Sequence, residues 1–214
     1  MDYIKIKANP YHNSIQKTFL DYLLSLWAII FLSPLFLVIS FLSKTINKGP
    51  VFYMQERIGK NGRKFKIIKF RTMLVDAEKL QSKYKKLNEA NGPVFKIRND
   101  PRLTKFGKFL YNTGLDELPQ LINVLKGEMS LVGPRPLPTY EAKKLTRSQK
   151  IRELVKPGIT SSWVIKGSHN LSFKEWMRLD KEYVIKATLL TDISIILKTS
   201  IQIIKSILSI INHK

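Results

Sequence analysis

Residues 19–42 read FLDYLLSLWAIIFLSPLFLVISFL, and this apolar run decides how the rest of the chain can be arranged. The 24 residues are nearly all apolar, which is long enough for a helix to cross a bilayer core of about 30 Å. The run is too long for a signal peptide and lacks a small-residue cleavage site. Ser33 and Pro34 lie near its middle, where the proline removes a helical hydrogen bond. The sequence therefore predicts a membrane helix that is kinked at Ser33 and Pro34.

Basic residues flank both ends of this apolar run. They are Lys5, Lys7 and Lys17 before it and Lys44 and Lys48 after it. The positive-inside rule favours the cytoplasmic side for both flanks, and a bent helix achieves this by entering and leaving the same leaflet. We therefore expect a re-entrant helix within an N-terminal segment, residues 1–48, that precedes a second region, residues 49–214. The alternative is a straight, slightly kinked span.

The composition limits the class of partner. The 214 residues include 37 lysines and arginines against 16 acidic residues, a formal net charge of +21. Such a charge attracts anionic lipids, nucleic acids or phosphorylated substrates. No zinc finger, Walker-type phosphate loop or RNA-binding signature occurs, so a nucleic-acid partner is not expected. The absence of cysteine excludes a disulfide framework, a thiolate nucleophile and cysteine-ligated metals.

Three stretches after the apolar run predict regular structure. Residues 51–58 and 64–70 are strand-like, and the Asn61-Gly62 pair between them predicts a hairpin turn within residues 59–62. Residues 74–90 predict a polar amphipathic helix. Residues 187–211 predict a long apolar helix that lies on a surface rather than spanning, because a polar stripe follows it. The stripe consists of Thr191, Ser194, Lys198, Gln202, Lys205 and Ser209.

Aromatic and basic residues alternate between positions 102 and 110. Phe106 and Phe109 alternate with Lys105 and Lys108, a pattern that suits a helix in a lipid interface. Ordinary core packing explains the two phenylalanines equally well.

Two adjacent carboxylates, Asp116 and Glu117, lie in the stretch LDELPQ at residues 115–120. Leucine and isoleucine recur at helical spacing after them, and Gly127 stands where a helix commonly ends, so the pair lies at a predicted helix start. A phosphate at this position would meet unpaired backbone N–H groups and the positive end of the helix dipole. The pair considered alone is also explained by helix capping.

These motifs together resemble the bacterial polyprenyl-phosphate hexose-1-phosphate transferases, the small monotopic phosphoglycosyl transferases. The resemblance runs from about Phe19 to the C-terminus and rests on VFY at 51–53, QERIG at 55–59, KFRTM at 69–73, NDPRLT at 99–104, LDELPQ at 115–120 and GEMSLVGPRP at 127–136. It implies an α+β, monotopic protein on the cytoplasmic face of the bacterial inner membrane. The implied parts are a re-entrant helix at about residues 19–42, a small β-hairpin, amphipathic interfacial helices and a catalytic domain at residues 49–214.

The resemblance also implies a reaction. Asp116 would attack the sugar-bearing phosphate of a UDP-sugar, release UMP and form an aspartyl phosphosugar. Polyprenyl phosphate, in bacteria undecaprenyl phosphate, would then accept the sugar phosphate in the first membrane step of glycoconjugate assembly. Glu117 would bind Mg²⁺, an ion that prefers oxygen ligands. Anionic lipids and downstream glycosyltransferases are the further partners implied.

Four cations are candidates for substrate binding: Lys69, Arg71, Arg102 and Arg135. Arg135 lies between Pro134 and Pro136, and a planar guanidinium suits phosphate recognition. A surface arginine stiffened by prolines is its alternative role. Lys69 and Arg71 alternatively form salt bridges on a strand face. Arg102 binds phosphate or faces lipid headgroups.

The chain departs from the family pattern at two places. Tyr111 stands where the family usually has an arginine, and Ser161, Val164 and the Gly167-Ser168-His169 run replace the usual Gly, Gln and Gly-Arg-Asn. These departures predict altered sugar or nucleotide specificity, or reduced activity. They also support a rival function, a catalytically degenerate membrane scaffold of a glycan assembly complex. The intact pair of Asp116 and Glu117 favours an active enzyme.

Overall fold

The computed structural model describes residues 7–47, 49–167 and 171–212. The helices are α1 (Ile15–Phe31), α2 (Ser33–Ile46), α3 (Lys105–Thr113), α4 (Gln120–Leu125), α5 (Thr139–Ala142), α6 (Phe173–Lys186) and α7 (Leu189–Asn212). The strands are β1 (Phe52–Ile58), β2 (Lys64–Phe70), β3 (Ser130–Val132) and β4 (Gly158–Thr160). Strands β1 and β2 pair antiparallel, and β3 and β4 pair parallel. The predicted α+β class is therefore confirmed.

A bent pair of helices, α1 and α2, replaces the single apolar helix of residues 19–42. The two helix axes meet at an angle of 62° across Leu32, and Pro34 lies in the first turn of α2. Ser33 Oγ donates a hydrogen bond to the carbonyl of Ile30 at 2.8 Å, so it caps the break. The kink has the predicted position. Among the described residues, α7 is the one unbroken helix that is long and apolar enough to cross a membrane. Helices α1 and α2 taken together also meet this requirement of length and apolar composition, as either a broken span or a re-entrant loop.

Helix α1 buries its polar side and exposes its apolar side. Lys17, Asp21 and Ser25 follow at intervals of four residues and are buried against the part of the chain after residue 49. On the opposite side Trp27 and Phe31 are 65% and 68% exposed. A helix on a soluble protein has the reverse arrangement, with its apolar stripe facing the core. The outward face of α1 is therefore an exposed apolar patch of the kind that contacts lipid or another protein.

Helix α7 has the same inverted arrangement. Asp192 is fully buried, and Thr199 Oγ1 lies 2.6 Å from Thr160 Oγ1 of strand β4. The exposed side carries a stripe of apolar residues at helical spacing, namely Leu190, Ile193, Leu197, Ile201, Ile204 and Leu208. Asp192, Thr199 and the buried Ile195 thus attach α7 to the rest of the protein, while most of its large apolar side chains face outward.

The β1–β2 hairpin positions helix α4. Its turn uses Asn61 at φ 55° and Gly62 at φ 75°, as the Asn-Gly pair predicts. The side-chain amide of Asn123 in α4 accepts from Ile68 N at 3.0 Å and donates to Lys66 O at 2.8 Å, so it pairs with the free edge of β2. The helix that follows the two carboxylates is therefore fixed against the strand.

The helix predicted over residues 74–90 is wrong. This stretch forms turns and a single 3-10 turn at Lys85–Leu87, and Asp76 has a left-handed φ of 66°. Ala77 is its one buried residue, so a helix there would have no apolar face to pack, and packing supplies most of a helix's stability. Glu78 instead accepts hydrogen bonds from Tyr53 and Gln55 of β1.

Helix α3 packs the aromatic residues of the 102–110 stretch against α2. Leu110 is fully buried in a cluster with Phe70 and Ile39, and Phe106 and Phe109 lie half-buried at its edge. The lysines of the stretch are exposed. Core packing thus accounts for these apolar residues, and it connects α2 to the helix that leads into the two carboxylates.

Candidate active site

The two carboxylates lie in a tight 3-10 turn between two helices. Helix α3 ends at Gly114, whose φ of 74° reverses the chain, and Leu115–Glu117 then form the turn. Helix α4 begins after Pro119 and is followed by Gly127 at φ 75°. Asp116 and Glu117 thus precede α4 instead of occupying its first turn, and Leu118 and Pro119, both with right-handed helical backbone angles, connect them to its start. The predicted glycine at the helix end is confirmed.

Two cations from distant parts of the chain meet Glu117. Lys69, near the end of β2, places its Nζ 2.5 Å from Glu117 Oε1 and 3.8 Å from Asp116 Oδ2. Arg135 donates from Nη1 to the same Oε1 at 2.9 Å. Asp116 is buried, at 5% exposure. The structure therefore brings together four of the six charged residues that the sequence nominates: Asp116, Glu117, Lys69 and Arg135.

The two neighbouring carboxylates have opposite pKa shifts. Burial raises the pKa of Asp116 to about 6, partly opposed by Lys69 and reinforced by the charge of Glu117. Burial also acts on Glu117, but Arg135 and Lys69 outweigh it and lower its pKa. Glu117 is therefore held as a carboxylate by its partners, while Asp116 has weaker compensation. Pairs of acids driven apart in this way are typical of functional sites.

Tyr111 lies in the electrostatic environment of this pair. Burial raises the pKa of its hydroxyl, Arg135 lowers it, and Asp116 and Glu117 raise it. A tyrosine offers one neutral donor where an arginine would offer a permanent charge and five donors. The departure noted in the sequence therefore lies beside the carboxylates.

Two arginines that the sequence does not nominate hold the backbone around Arg135. Arg57 donates from Nη1 to Pro136 O at 3.0 Å, and Arg152 donates from Nη2 to Arg135 O at 2.7 Å. Arg152 is itself paired with Asp180 at 2.9 Å. Arg57 lies inside the quoted stretch 55–59, and its place on the same strand face as Tyr53 and Gln55 is a signal that could have identified it. Arg152 has no motif around it.

Arg71 and Arg102 lie outside this group. Arg71 Nε donates to Pro50 O at 3.0 Å and its guanidinium lies over the ring of Tyr53, so it braces the start of the hairpin. Arg102 is buried and makes a two-atom contact with Asp100 at 2.6 and 2.9 Å, with a further bond to Ala77 O. The guanidinium of Arg102 is thus occupied in holding the turns of residues 74–90.

The oxygen donors here suit a magnesium ion that substrate phosphates also bind. Mg²⁺ is commonly held by one or two carboxylates together with phosphates and water. Among the residues that the structure describes, no group of three or more His, Cys, Asp or Glu side chains is placed to hold a metal ion. Magnesium binding by Glu117 therefore stays a prediction from the sequence.

A family model described as bacterial sugar transferase matches residues 12–206. The chain belongs to this family. The match covers the bent helix pair, the hairpin, the carboxylate turn and most of α7.

Curated relatives agree with this family. The chain is 45% identical over 91% of its length to the galactosyl transferase CpsE of Streptococcus agalactiae serotype III. It is 39% identical over 86% of its length to the exopolysaccharide production protein ExoY of Sinorhizobium fredii. It is 40% identical over 72% of its length to the UDP-glucose:undecaprenyl-phosphate glucose-1-phosphate transferase of Klebsiella pneumoniae. The chain spans 84% of ExoY but 43% and 32% of the other two relatives.

The second family departure lies only partly within the described residues. Ser161 and Val164 belong to a loop after β4, in which the ring of Trp163 lies 4.8 Å from that of Trp176 in α6. Ser168 and His169 lie outside the described residues, as does Lys48. The loop is thus attached to α6, beside the residue Asp180 that holds Arg152.

Proposed function

We propose that this protein transfers a sugar 1-phosphate from a UDP-sugar to a polyprenyl phosphate, undecaprenyl phosphate in bacteria. The observation that carries this proposal is the buried carboxylate of Asp116 beside Glu117. Lys69 and Arg135 keep Glu117 ionised. The names of the relatives supply the substrate class, since one of them is named for UDP-glucose and undecaprenyl phosphate. The product would be a lipid-linked sugar for polysaccharide synthesis.

The reaction we propose has two displacements at one phosphorus. In the first, a carboxylate oxygen of Asp116 attacks the sugar-bearing phosphorus, and the bond from that phosphorus to UMP breaks. In the second, a phosphate oxygen of the polyprenyl phosphate attacks the same phosphorus, and the bond to Asp116 breaks. The lipid diphosphate sugar is released and Asp116 returns as a carboxylate. The ionised form is required, because a protonated carboxyl group is a poor nucleophile.

The neighbouring side chains have separate roles in this proposal. Glu117 and the phosphates of the substrate would bind Mg²⁺, which neutralises phosphate charge when it is bound. Arg135 and Lys69 carry positive charge beside Asp116, where an approaching diphosphate would otherwise be repelled. Arg57 and Arg152 keep the Pro134–Pro136 backbone in position, so that Arg135 stays within reach of Glu117.

We further propose that the bent helix pair is re-entrant and seats the protein on the cytoplasmic face of the inner membrane. Both ends of the pair attach to the same body. At the start of α1, Lys17 bonds Asp192 of α7, and after the end of α2, Asn47 bonds Arg71 O at 3.5 Å. A span of about 30 Å would separate these two ends, so their common attachment supports entry and exit from one leaflet. The outward apolar faces of α1 and α7 support contact with lipid.

The chemical proposal is tested by release of UMP and by mass spectrometry. Purified protein supplied with Mg²⁺, a panel of UDP-sugars and polyprenyl phosphate should release UMP with one or more of the sugars. Without the lipid acceptor, the peptide that contains Asp116 should gain the mass of a phosphosugar. Asp116→Asn should show neither. Binding of lipid and UDP-sugar without any turnover would favour the degenerate scaffold, for which Tyr111 is the supporting observation.

The topology is tested with single cysteines, since the chain has none of its own. Cysteines at Lys7 and at Asn47 should react with an impermeant reagent from the same side of intact vesicles. Reaction from opposite sides would contradict the re-entrant arrangement and leave a kinked span.

A further inference from the structure

A basic cavity lies where the start of α1 meets strand β3. Its volume is about 180 Å³, and its lining includes His12, Asn13, Lys17, Asp21, Ser130 and Lys156. A side chain built at Gly127, after the end of α4, would approach Lys156 Nζ to 3.8 Å. Asp116 and Glu117 precede the start of the same helix. The cavity is therefore at the opposite end of α4 from the candidate active site.

Lys156 lines this cavity without a carboxylate in direct contact. It is half-buried, and no carboxylate within residues 7–47, 49–167 and 171–212 lies within ion-pair distance of its ammonium group. Burial lowers the pKa of Lys156, Asp21 opposes this shift, and Lys60 and Lys17 add to it. Lys60 is held beside the cavity by a hydrogen bond of 2.6 Å to Asn13 Oδ1.

The nearby carboxylates are already occupied. Lys17 pairs with Asp192 at 2.6 Å and with Asp21 at 3.4 Å. Asp21 Oδ1 also accepts from Leu131 N and from Ser130 Oγ. The charge balance here is therefore positive. Two acids, Asp21 and Asp192, stand against three lysines, Lys17, Lys60 and Lys156, which leaves one positive charge. A ligand with a single negative charge would neutralise it.

An apolar groove adjoins the cavity on the outward side of α1. Ile15, Phe19 and Tyr22 line it, and it shares Asn13 and Thr18 with the cavity. Its volume is about 360 Å³. Ile15 is 88% exposed, although it is apolar. A ligand that fills both spaces needs a monoanionic head and a hydrocarbon chain.

We propose that this cavity and groove bind one anionic phospholipid of the bilayer. Its phosphodiester lies against Lys156 and Lys60, and its acyl chain lies along Ile15 and Phe19. The proposal rests on the membrane seat proposed above, because that seat brings the groove into the lipid. The charge of a phosphodiester matches the single positive charge left in the cavity. The bound lipid would fix the start of α1 at the membrane surface, remote from the reacting phosphates.

The test is a native mass spectrometry titration of the full-length protein in detergent with short-chain phosphatidylglycerol. Lys156→Gln should raise the Kd for phosphatidylglycerol by at least about tenfold, equivalent to about 1.4 kcal/mol. The matched control is Lys126→Gln, which removes the charge of an exposed lysine next to Gly127 and should leave the Kd unchanged. Thr18→Trp keeps every charge but blocks the junction of cavity and groove, and it should weaken binding equally. Phosphatidylcholine, which has no net charge, should bind more weakly than phosphatidylglycerol.

Several results would overturn the proposal. Equal Kd values for Lys156→Gln and Lys126→Gln would show that the cavity does not hold the headgroup. Competition by millimolar inorganic phosphate as strong as that by the lipid would show a simple anion site. Displacement of the bound lipid by equimolar polyprenyl phosphate would assign the cavity to the acceptor instead. Failure of the wild-type protein to sediment with membranes would contradict the membrane seat itself, and that is measured separately.

Discussion

Two buried clusters of this protein each contain two carboxylates, and they differ in how fully those acids are paired. The anchor cluster consists of Asp21 and Asp192 with Lys17, Tyr11 and Tyr183. Asp192 accepts from Lys17 at 2.6 Å, from Tyr183 at 2.7 Å and from Tyr11 at 2.8 Å. The active-site cluster consists of Asp116, Glu117, Lys69 and Arg135. No side chain of the described residues donates a hydrogen bond to Asp116, and its nearest cation, Lys69, lies 3.8 Å away.

In our proposal, this difference separates a structural acid, Asp192, from the nucleophile, Asp116. A buried carboxylate with three donors has its charge neutralised, and it holds α1, α6 and α7 together. Asp116 has no such side-chain donors, and burial raises its pKa. Its oxygens are therefore not occupied by donor side chains, as our proposal requires. Incomplete pairing costs stability and is typical of functional positions. The changes below test this contrast.

Substitution of the reactive acid should separate activity from stability. Asp116→Asn should lower UMP release by at least about 10³-fold, because an amide is not a nucleophile. Because the folded pKa of about 6 lies above the ordinary value of 3.8, the ionised carboxylate destabilises the folded state, and this cost is fully present above about pH 6. The free energy of unfolding at pH 7 should therefore rise in the mutant, by about 1–3 kcal/mol. Thermal unfolding in detergent measures this, and loss of stability would contradict our view of the site.

Substitution in the anchor cluster should have the opposite effect. Asp192→Asn leaves Lys17 buried with weaker compensation, and breaking a buried pair costs about 3–5 kcal/mol. The control is Glu182→Gln on the exposed side of α6, where ion pairs contribute about 0–1 kcal/mol. Denaturant unfolding of both variants should separate them. Equal stabilities would mean that the anchor cluster does not hold the helices together.

The arginines behind Arg135 should affect turnover more than binding. The planar guanidinium of Arg152 both donates to Arg135 O and pairs with Asp180. The ammonium group of Arg152→Lys lacks this geometry, so we expect Arg135 to move away from Glu117. We expect kcat to fall about tenfold, or about 1.4 kcal/mol, with a smaller change in KM. Arg178→Lys, on an exposed part of the same helix as Asp180, is the control. If the free energy of unfolding falls by as many kcal/mol as the loss of kcat corresponds to, the role of Arg152 is purely structural.

Activity should decrease at acidic pH. Because the pKa of Asp116 is raised to about 6, its nucleophilic form is lost as the pH falls through that value. The lowered pKa of Glu117 keeps that residue ionised over the same range. Between pH 7 and pH 5, kcat/KM should fall about tenfold. A profile that stays flat to pH 5 would show that the pKa of Asp116 is not raised in the free enzyme.

The smallest effect is expected at Tyr111. Tyr111→Arg adds a cation near Asp116 and Glu117, so kcat/KM for the UDP-sugar should rise about threefold, or about 0.6 kcal/mol. Arg102→Ala should instead lower the free energy of unfolding, since Arg102 is occupied by Asp100. A fall in UMP release for Arg102→Ala at unchanged stability would restore a phosphate-binding role for Arg102.

The local features of this chain could be predicted because single residues determine them. Pro34 breaks the apolar helix, Asn61 and Gly62 form the hairpin turn, and Gly127 ends α4. Asp116 and Glu117 were found through adjacent residues of a motif. The sequence identifies Lys69 and Arg135 only as candidates for substrate binding. Their contact with Glu117 could not be predicted, since sequence order does not show which cation reaches which acid.

The features that sequence missed depend on distant contacts. The turns of residues 74–90 are held by Arg102 and by Tyr53, so a local amphipathic pattern misled the helix prediction. The anchor cluster joins residues that are 175 positions apart. A stripe formed by Lys17, just before the apolar run, and by Asp21 and Ser25 within it is the one local sign of this cluster. Such a stripe indicates a buried polar contact without identifying the partner.

The pairing of Lys17 with Asp192 also sets an order for events during protein synthesis. At an elongation rate of about 5–20 residues per second, the ribosome reaches Asp192, 175 positions after Lys17, about 9–35 s later. Lys17 and Asp21 lack their contacts with β3 until that strand has been made, and Lys17 lacks its contact with Asp192 until α7 has been made. We therefore expect the nascent helix α1 to remain at the bilayer surface, with its polar stripe in contact with water. It reaches its final position only after α7 has been synthesised.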